Sequence, residues 1–98
     1  MEKLIVENGV GVFPIVAIEI KRNGKVIKNL KDLKILNGGY SDPIHLEPGE
    51  YEVTAVFDCL NGKTTQEIKK VTITEGNDSY CSFYHTPSEP QTAIPPIL

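Results

Sequence analysis

The residues that could carry out chemistry in this 98-residue chain are few and far apart. There are two cysteines, Cys59 and Cys81, and two histidines, His45 and His85. None of the four stands at the short spacing that zinc sites use, and two cysteines are too few for a disulfide framework. No serine or cysteine stands at a spacing from a histidine that indicates a nucleophilic triad. We therefore predict that the chain is not an enzyme and carries no metal or cofactor.

Two oxygen-rich turns are the remaining candidates for a ligand site. Calcium prefers oxygen ligands, but neither Asp58 with Asn61 nor the turn at 75–78 has the spacing of an EF-hand loop. Asn77-Asp78-Ser79 matches the acceptor sequence for N-glycosylation, and the same residues also form a natural turn. Neither pattern is specific enough to assign a site.

Composition and charge exclude several classes of protein. Apolar residues make up 40% and charged residues 23%, which is typical of a soluble globular domain. The sequence has no run of apolar residues long enough for a transmembrane helix, so we expect no membrane insertion. The net charge of −3 makes nucleic acid an unexpected partner. The first twenty residues include Glu2 and Glu7 and do not resemble a secretory signal, which favours a virion or cytoplasmic assembly over secretion.

The charges are unevenly distributed along the chain. Six of the ten basic residues fall within 14 positions: Lys21, Arg22, Lys25, Lys28, Lys31 and Lys34. An acidic stretch follows, comprising Asp42, Glu47, Glu50, Glu52 and Asp58. If the two stretches lie on different faces, they suit head-to-tail contacts with copies of the chain or with a charged partner. Lysines also protect edge strands from unwanted pairing, so a purely protective role for these lysines stays open as the alternative. We assign Lys21, Arg22 and Lys25 to partner binding.

Turn signals divide the chain into short strands. Four asparagines precede glycine, in Asn8-Gly9, Asn23-Gly24, Asn37-Gly38 and Asn61-Gly62. Asn-Gly is the strongest short-range signal for a β-hairpin, because a type I′ turn needs positive φ at both central residues. The runs between the turns are rich in Val, Ile, Thr, Phe and Tyr, as strands are. The run 26–36 has a helix-like apolar step, but it is short and follows a hairpin signal, so we favour a strand.

Apolar and polar residues alternate within these runs. One predicted inward face contains Val12, Pro14, Val16, Ile18 and Ile20, and another contains Tyr51, Val53, Ala55, Phe57 and Cys59. Cys81 is likewise in phase with Phe83, so the two cysteines are either buried thiols or one cross-strand disulfide. A period of two indicates antiparallel sheet with one wet side, and burying the other side requires a second sheet. We predict an all-β antiparallel sandwich of about seven strands over residues 1–85.

Residues 86–98 have a different composition. They hold four of the seven prolines, and proline cannot donate to a β-ladder, so we predict an extended tail. The tail ends in five apolar residues, Ile94, Pro95, Pro96, Ile97 and Leu98. Such a segment loses little entropy when it docks into a groove, which makes these residues a predicted docking arm. A disordered end is the alternative.

The segment Leu46-Glu47-Pro48-Gly49-Glu50-Tyr51-Glu52-Val53 resembles the L-x-P-G-x-Y-x-V signature of prealbumin-like sandwiches. The prealbumin-like modules include PEGA, carboxypeptidase regulatory-like and Cna B-type domains, and the segments 16–27 and 70–77 are also similar to theirs; an immunoglobulin-like sandwich is the alternative form. In the signature, Pro48 presets φ and Gly49 takes the positive φ of a type II turn, so Leu46 and Tyr51 should enter the core. The resemblance implies a spacer, an adhesive unit or a binding accessory. The Cna B-type repeats often carry a Lys–Asn isopeptide bond, which we do not expect because 79–85 contains no asparagine.

Three functions are therefore open. We favour a non-catalytic structural or interaction module that docks onto a larger assembly, such as a cell-surface layer or a virus particle. Its partners would be other protein subunits, including copies of itself. The alternative is a carbohydrate- or protein-binding accessory domain, which needs exposed aromatic residues on one face, and only Tyr40, Tyr80 and Tyr84 are candidates. An enzyme is the third, and the sequence offers no catalytic set for it.

Overall fold

Seven β-strands form the fold in a computed structural model, which describes residues 1–59 and 61–85. The strands are β1 (Glu2–Gly11), β2 (Ile15–Arg22), β3 (Lys25–Leu30), β4 (Ile44–Leu46), β5 (Gly49–Asp58), β6 (Thr64–Ile73) and β7 (Ser79–His85). They make a three-stranded sheet in the order β4-β1-β7 and a four-stranded sheet in the order β3-β2-β5-β6. This confirms the all-β prediction and the strand number. The predicted docking arm, Ile94 to Leu98, lies outside the described residues.

The pairing of β1 with β7 corrects the prediction of a wholly antiparallel sandwich. These strands are parallel, and Leu4 lies opposite Ser79 while Asn8 lies opposite Phe83. All other pairs of neighbouring strands in the two sheets are antiparallel. Hairpin signals report only neighbours joined by a short turn, whereas a parallel pair needs a long crossover connection. The pattern of turns therefore could not reveal it.

The Asn-Gly pairs have three different outcomes. Asn23-Gly24 joins β2 to β3, with φ values of 53° and 78°, and Asn61-Gly62 joins β5 to β6 with 54° and 73°. Both confirm the predicted turns with two positive φ angles. At Asn37-Gly38 only the glycine has positive φ, 82°. Asn8-Gly9 lies inside β1, so the prediction of a turn there is wrong.

Asn8 is a polar residue that joins three segments inside the core. It is fully buried, and its side-chain Nδ2 donates to the carbonyl oxygens of Phe13 at 2.9 Å and Ile35 at 2.8 Å. Its backbone N–H donates to Gly39, and its carbonyl accepts from Gly38. Its Oδ1 is buried without a hydrogen-bond partner among the described residues. These contacts hold the asparagine in extended backbone and account for the absence of a turn.

The core lies between the two sheets, and its largest fully buried side chains include Phe57, Phe83, Leu4, Ile15, Ile18 and Ile20. The predicted inward face of β5 is confirmed from Tyr51 to Phe57. The predicted face of β2 is wrong at its start, because the register shifts between Ile15 and Ala17. Ile15 is therefore buried, whereas Val12 is exposed and Val16 only half-buried. The run 26–36 forms β3 and a loop, not a helix.

Both cysteines are free thiols, and β5 and β7 belong to different sheets. Cys81 is buried in the core, and Cys59 is half-buried just after β5. Burial raises the pKa of the Cys81 thiol, and the Lys69 charge opposes this in part. Burial also raises the pKa of Cys59, and the neighbouring Asp58 carboxylate raises it further.

We expect a thiol reagent such as iodoacetamide to modify Cys59 well before Cys81, because Cys59 is half-buried and Cys81 is buried. The thiolate is the reactive form, so a raised pKa leaves less of it at pH 7 than a free cysteine has. The rate at Cys59 should climb as the pH rises through the elevated pKa. Mass spectrometry after timed alkylation at pH 7 and 9 measures both rates, with the urea-unfolded chain as the control. Faster modification of Cys81 than of Cys59 in the native protein would contradict the arrangement.

Candidate binding surface

The predicted partner-binding residue Arg22 is engaged within the molecule. Its guanidinium donates to the Tyr51 hydroxyl and to the Pro48 carbonyl, both at 3.3 Å, and lies 5.3 Å from the centre of the Tyr51 ring. The Tyr51 hydroxyl in turn donates to the Glu47 carbonyl at 2.5 Å. Arg22 and Tyr51 thus fix the chain between β4 and β5 by hydrogen bonds to the backbone.

Gly49 is favoured at this corner by its backbone, because its positive φ lies in a range that L side chains rarely adopt. A Cβ atom on Gly49 would lie 2.7 Å from Arg22 Nη2. The φ of Gly49 is 152°, far from the value near +80° that a type II turn requires, and the residue opens β5. The prediction that Leu46 and Tyr51 enter the core is confirmed. The predicted turn type is not observed.

Lys21 and Lys25, the other predicted partner-binding residues, lie apart from Arg22's contacts. Lys21 Nζ is 3.8 Å from Glu19 on the same strand, and both side chains are about one-third exposed, so the pair stabilises little. Across the sheet, Lys21 lies opposite Glu52, which lies opposite Lys70 on its other side. Basic and acidic residues therefore alternate here, and the two charged stretches do not lie on separate faces at this point. Lys25 is exposed at the start of β3.

The structure brings three exposed tyrosines to one face of the three-stranded sheet. Tyr80 is 67% exposed, Tyr40 58% and Tyr84 54%. On β7, Tyr80 lies opposite Ile5, and Ser82 lies opposite Glu7. Tyr40 forms an antiparallel bridge with the same Glu7 from the other side of β1. Directly paired residues project to the same side of a sheet, and the neighbours of Glu7 on β1 are buried, so all three tyrosines face outward.

We call this face the tyrosine surface: Tyr40, Tyr80 and Tyr84 around Glu7, Gly9 and Ser82. A strand rises about 3.3 Å per residue. Tyr80 and Tyr84 are four residues apart, so their Cα atoms are about 13 Å apart. Tyr40 lies two strand spacings from β7, about 10 Å. The three rings therefore form a broad triangle on a flat face, which suits a large partner better than a small ligand in a cleft.

The middle of the triangle holds a hydrogen-bonded pair and a seat for one ring. Ser82 Oγ donates to Glu7 Oε1. Glu7 keeps further acceptor capacity for a partner, because a carboxylate accepts several hydrogen bonds. Tyr84 packs against Gly9, where a Cβ atom would overlap the ring, and Lys69 Nζ lies 5.6 Å from the ring centre. Gly9 thus gives room for Tyr84, which explains an Asn-Gly pair that is not a turn.

Sequence reasoning identified the three tyrosines only as candidates for sugar binding. The alternation of Tyr80 and Tyr84 with Cys81 and Phe83 is a readable signal that the two tyrosines share an outer face. Nothing local shows that Tyr40, from the loop before β4, joins them. That placement depends on its bridge to Glu7.

Residues 1–59 and 61–85 contain no cluster of three or more His, Cys, Asp or Glu side chains that could hold a metal ion. No helix in the same ranges is long and apolar enough to cross a membrane. Neither a protein-family model, nor a curated protein, nor a solved structure matches the chain.

Proposed function

We propose that this chain is a non-catalytic interaction module of the prealbumin-like sandwich type, which docks onto a protein partner through the tyrosine surface. The observation that carries the proposal is the grouping of Tyr40, Tyr80 and Tyr84 on one sheet face. Tyrosine is enriched in protein interfaces because its ring buries a large area at low entropic cost and its hydroxyl still finds a partner. All three rings are more than half exposed in the chain alone.

Strand pairing supports the prealbumin-like alternative over the immunoglobulin one. In an immunoglobulin constant domain the first strand pairs with the second, and the last pairs with the one before it. Here β1 pairs with β4 and β7, while β2 pairs with β3 and β5. The corner built by Arg22, Tyr51 and Gly49 lies where the L-x-P-G-x-Y-x-V segment stands in the sequence.

The size of the face bears on the kind of partner. Its strands have ten, three and seven residues, and at about 3.3 Å per residue and about 4.8 Å between strands the face covers about 320 Å². A stable interface buries about 800 Å² on each side. The sheet face would thus supply about two fifths of such an interface, and residues 86–98 are the proposed source of the rest. Docking onto a larger assembly, such as a surface layer or virus particle, fits this shared role.

Polysaccharide binding is the second candidate, because exposed aromatics on one face are what it requires. A sugar chain would lie across Tyr80 and Tyr84 with its hydroxyls toward Glu7. The two candidate functions predict different ligands, a protein or a glycan, so one set of variants tests both.

The test compares the full chain with a Tyr80→Ala/Tyr84→Ala variant and with Ile68→Ala as the matched control. Ile68 is 56% exposed on β6 of the other sheet, so its loss removes exposed apolar area elsewhere. Immobilised chains are presented with extract of the source cells, and retained proteins are then purified and rebound. We expect a protein whose affinity falls at least 100-fold for the tyrosine variant and less than twofold for Ile68→Ala. Equal retention by all three chains would refute the proposal, and tyrosine-dependent binding of a glycan panel instead would establish the second candidate.

A further inference from the structure

The outer edge of β3 has features that the tyrosine surface does not use. β3 is an edge strand of the four-stranded sheet, and five of its six residues are exposed. Among them are two apolar residues, Val26 at 48% and Ile27 at 45% exposure. An edge strand presents unpaired backbone N–H and C=O groups, which can accept one more strand. Within the described ranges no backbone hydrogen bond outside the sheet satisfies these groups.

Four exposed lysines follow this edge: Lys25, Lys28, Lys31 and Lys34. None of them makes an ion pair with any residue that the structure describes. Like charges would repel a second copy of the same strand, which is the protective role that edge lysines usually have. The same charges attract a strand rich in carboxylates. The edge is therefore selective for the sign of an incoming segment's charge.

A groove of about 200 Å³ lies beside the edge, between β3 and β4. Its apolar walls include Leu30, Leu33 and Ile44, and the polar residues Lys28, Ser41, Asp42 and His45 also line it, so basic and acidic side chains both border the groove. The groove lies between the edges of the two sheets. A strand added to β3 would project every second side chain toward the other sheet, and therefore into this groove. At the opposite seam, Lys69 Nζ lies 5.8 Å from the Phe83 ring and covers the core.

A bulge limits the length of segment that can pair. The register of β2 and β3 shifts between Ile20 and Lys21, so that Ile20 lies opposite Lys28 but Lys21 lies opposite Val26. A bulge bends its strand and interrupts regular pairing. The regular part of the edge is Lys28–Leu30, and it adjoins the groove. A short segment is thus favoured over a long sheet extension.

We propose that the outer edge of β3 binds a short, extended, acidic segment of a partner protein as an additional strand. Apolar side chains at alternate positions enter the groove between β3 and β4, where Lys28 also lies, and the positive charge of the edge lysines attracts the carboxylates between them. Backbone pairing supplies affinity, and the groove and charges supply specificity, as in other cases of strand addition. This site is separate from the tyrosine surface and does not depend on its proposed role.

The experiment titrates a capped octapeptide of alternating glutamate and valine into the isotopically labelled full chain. We expect NMR shift changes and slower amide exchange at alternate residues of β3, with affinity falling as salt is raised. Lys28→Glu should weaken binding at least tenfold. Lys63→Glu, the same charge change in the exposed β5–β6 turn, should change it less than twofold. Alternating lysine and valine, or a glutamate–valine peptide N-methylated at every second residue, should not bind.

Three results would overturn the proposal. The first is unchanged affinity in Lys28→Glu. The second is equal binding of a single-stranded oligothymidylate, which would make the edge a general polyanion site. The third is absence of any shift in β3 at millimolar peptide. Circular dichroism of each variant, compared with the parent chain, establishes that a loss of binding is not a loss of fold.

Discussion

Replacing Asn8 by aspartate should lower the free energy of unfolding at pH 7 by about 3–5 kcal/mol. Nδ2 of Asn8 donates to two carbonyl oxygens inside the core. A carboxylate has no proton to donate, so it would face both oxygens as a buried negative charge. Both carbonyls would also lose their side-chain donor. Urea denaturation of the variant and the parent chain measures the difference.

The pH dependence of the Asn8→Asp variant gives a second check. Burial would raise the pKa of the new carboxyl in the folded state above its unfolded value of about 3.9. The penalty is then largest above the folded pKa and shrinks as the pH falls through that value toward the unfolded one. Asn61→Asp is the matched control, because Asn61 is exposed in a turn and should change stability by about 0.5 kcal/mol or less. Equal losses in the two variants would contradict the role of Asn8.

Phe83→Ala should cost about 3–5 kcal/mol, the usual cost of removing a buried phenylalanine. Phe83 is fully buried, and it anchors β7, an edge strand that pairs with β1 alone among the strands of residues 1–59 and 61–85. Its removal leaves a cavity between the sheets and uncovers Lys69, whose ammonium lies 5.8 Å from the ring. Thermal and urea unfolding of the variant give the magnitude.

The adjacent Tyr84 is the control for Phe83. It belongs to the same strand but is 54% exposed, so Tyr84→Ala should cost about 1 kcal/mol or less. A similar loss for both substitutions would mean that the outer face contributes as much to stability as the core. A loss of binding in the Tyr80→Ala/Tyr84→Ala variant would then have to be measured under conditions where circular dichroism shows that the variant is folded.

The fold was predictable where the signal is local. Asn23-Gly24 and Asn61-Gly62 each contain all that a tight hairpin turn requires, and alternation alone identifies the inward face of β5. Asn8-Gly9 has the same two residue types, but its amide is held by Phe13 and Ile35, and these contacts override the local preference. Dipeptide chemistry contains no information on such distant partners.

The candidate site was less predictable than the fold. Arg22 is one of six basic residues between positions 21 and 34, and only its contacts with Tyr51 and Pro48 show that it is engaged within the molecule. The register shift between Ile15 and Ala17 moved the inward face of β2 by one residue, which no period-two pattern can reveal. Tyr40 reaches the tyrosine surface through a single bridge to Glu7. Each of these depends on residues remote in the sequence.

The parallel pairing of β1 with β7 has a consequence for how the chain reaches its native state. Glu7 and Ser82 are 75 positions apart, so the loop between them must close before their strands can pair. Such non-local topologies fold slowly, on the scale of milliseconds to seconds. During synthesis β1 emerges long before β7, so the edge of β1 that pairs with β7 stays unpaired until β7 arrives. The four-stranded sheet, whose hairpins close over short turns, is the part able to form first, and β7 completes the core.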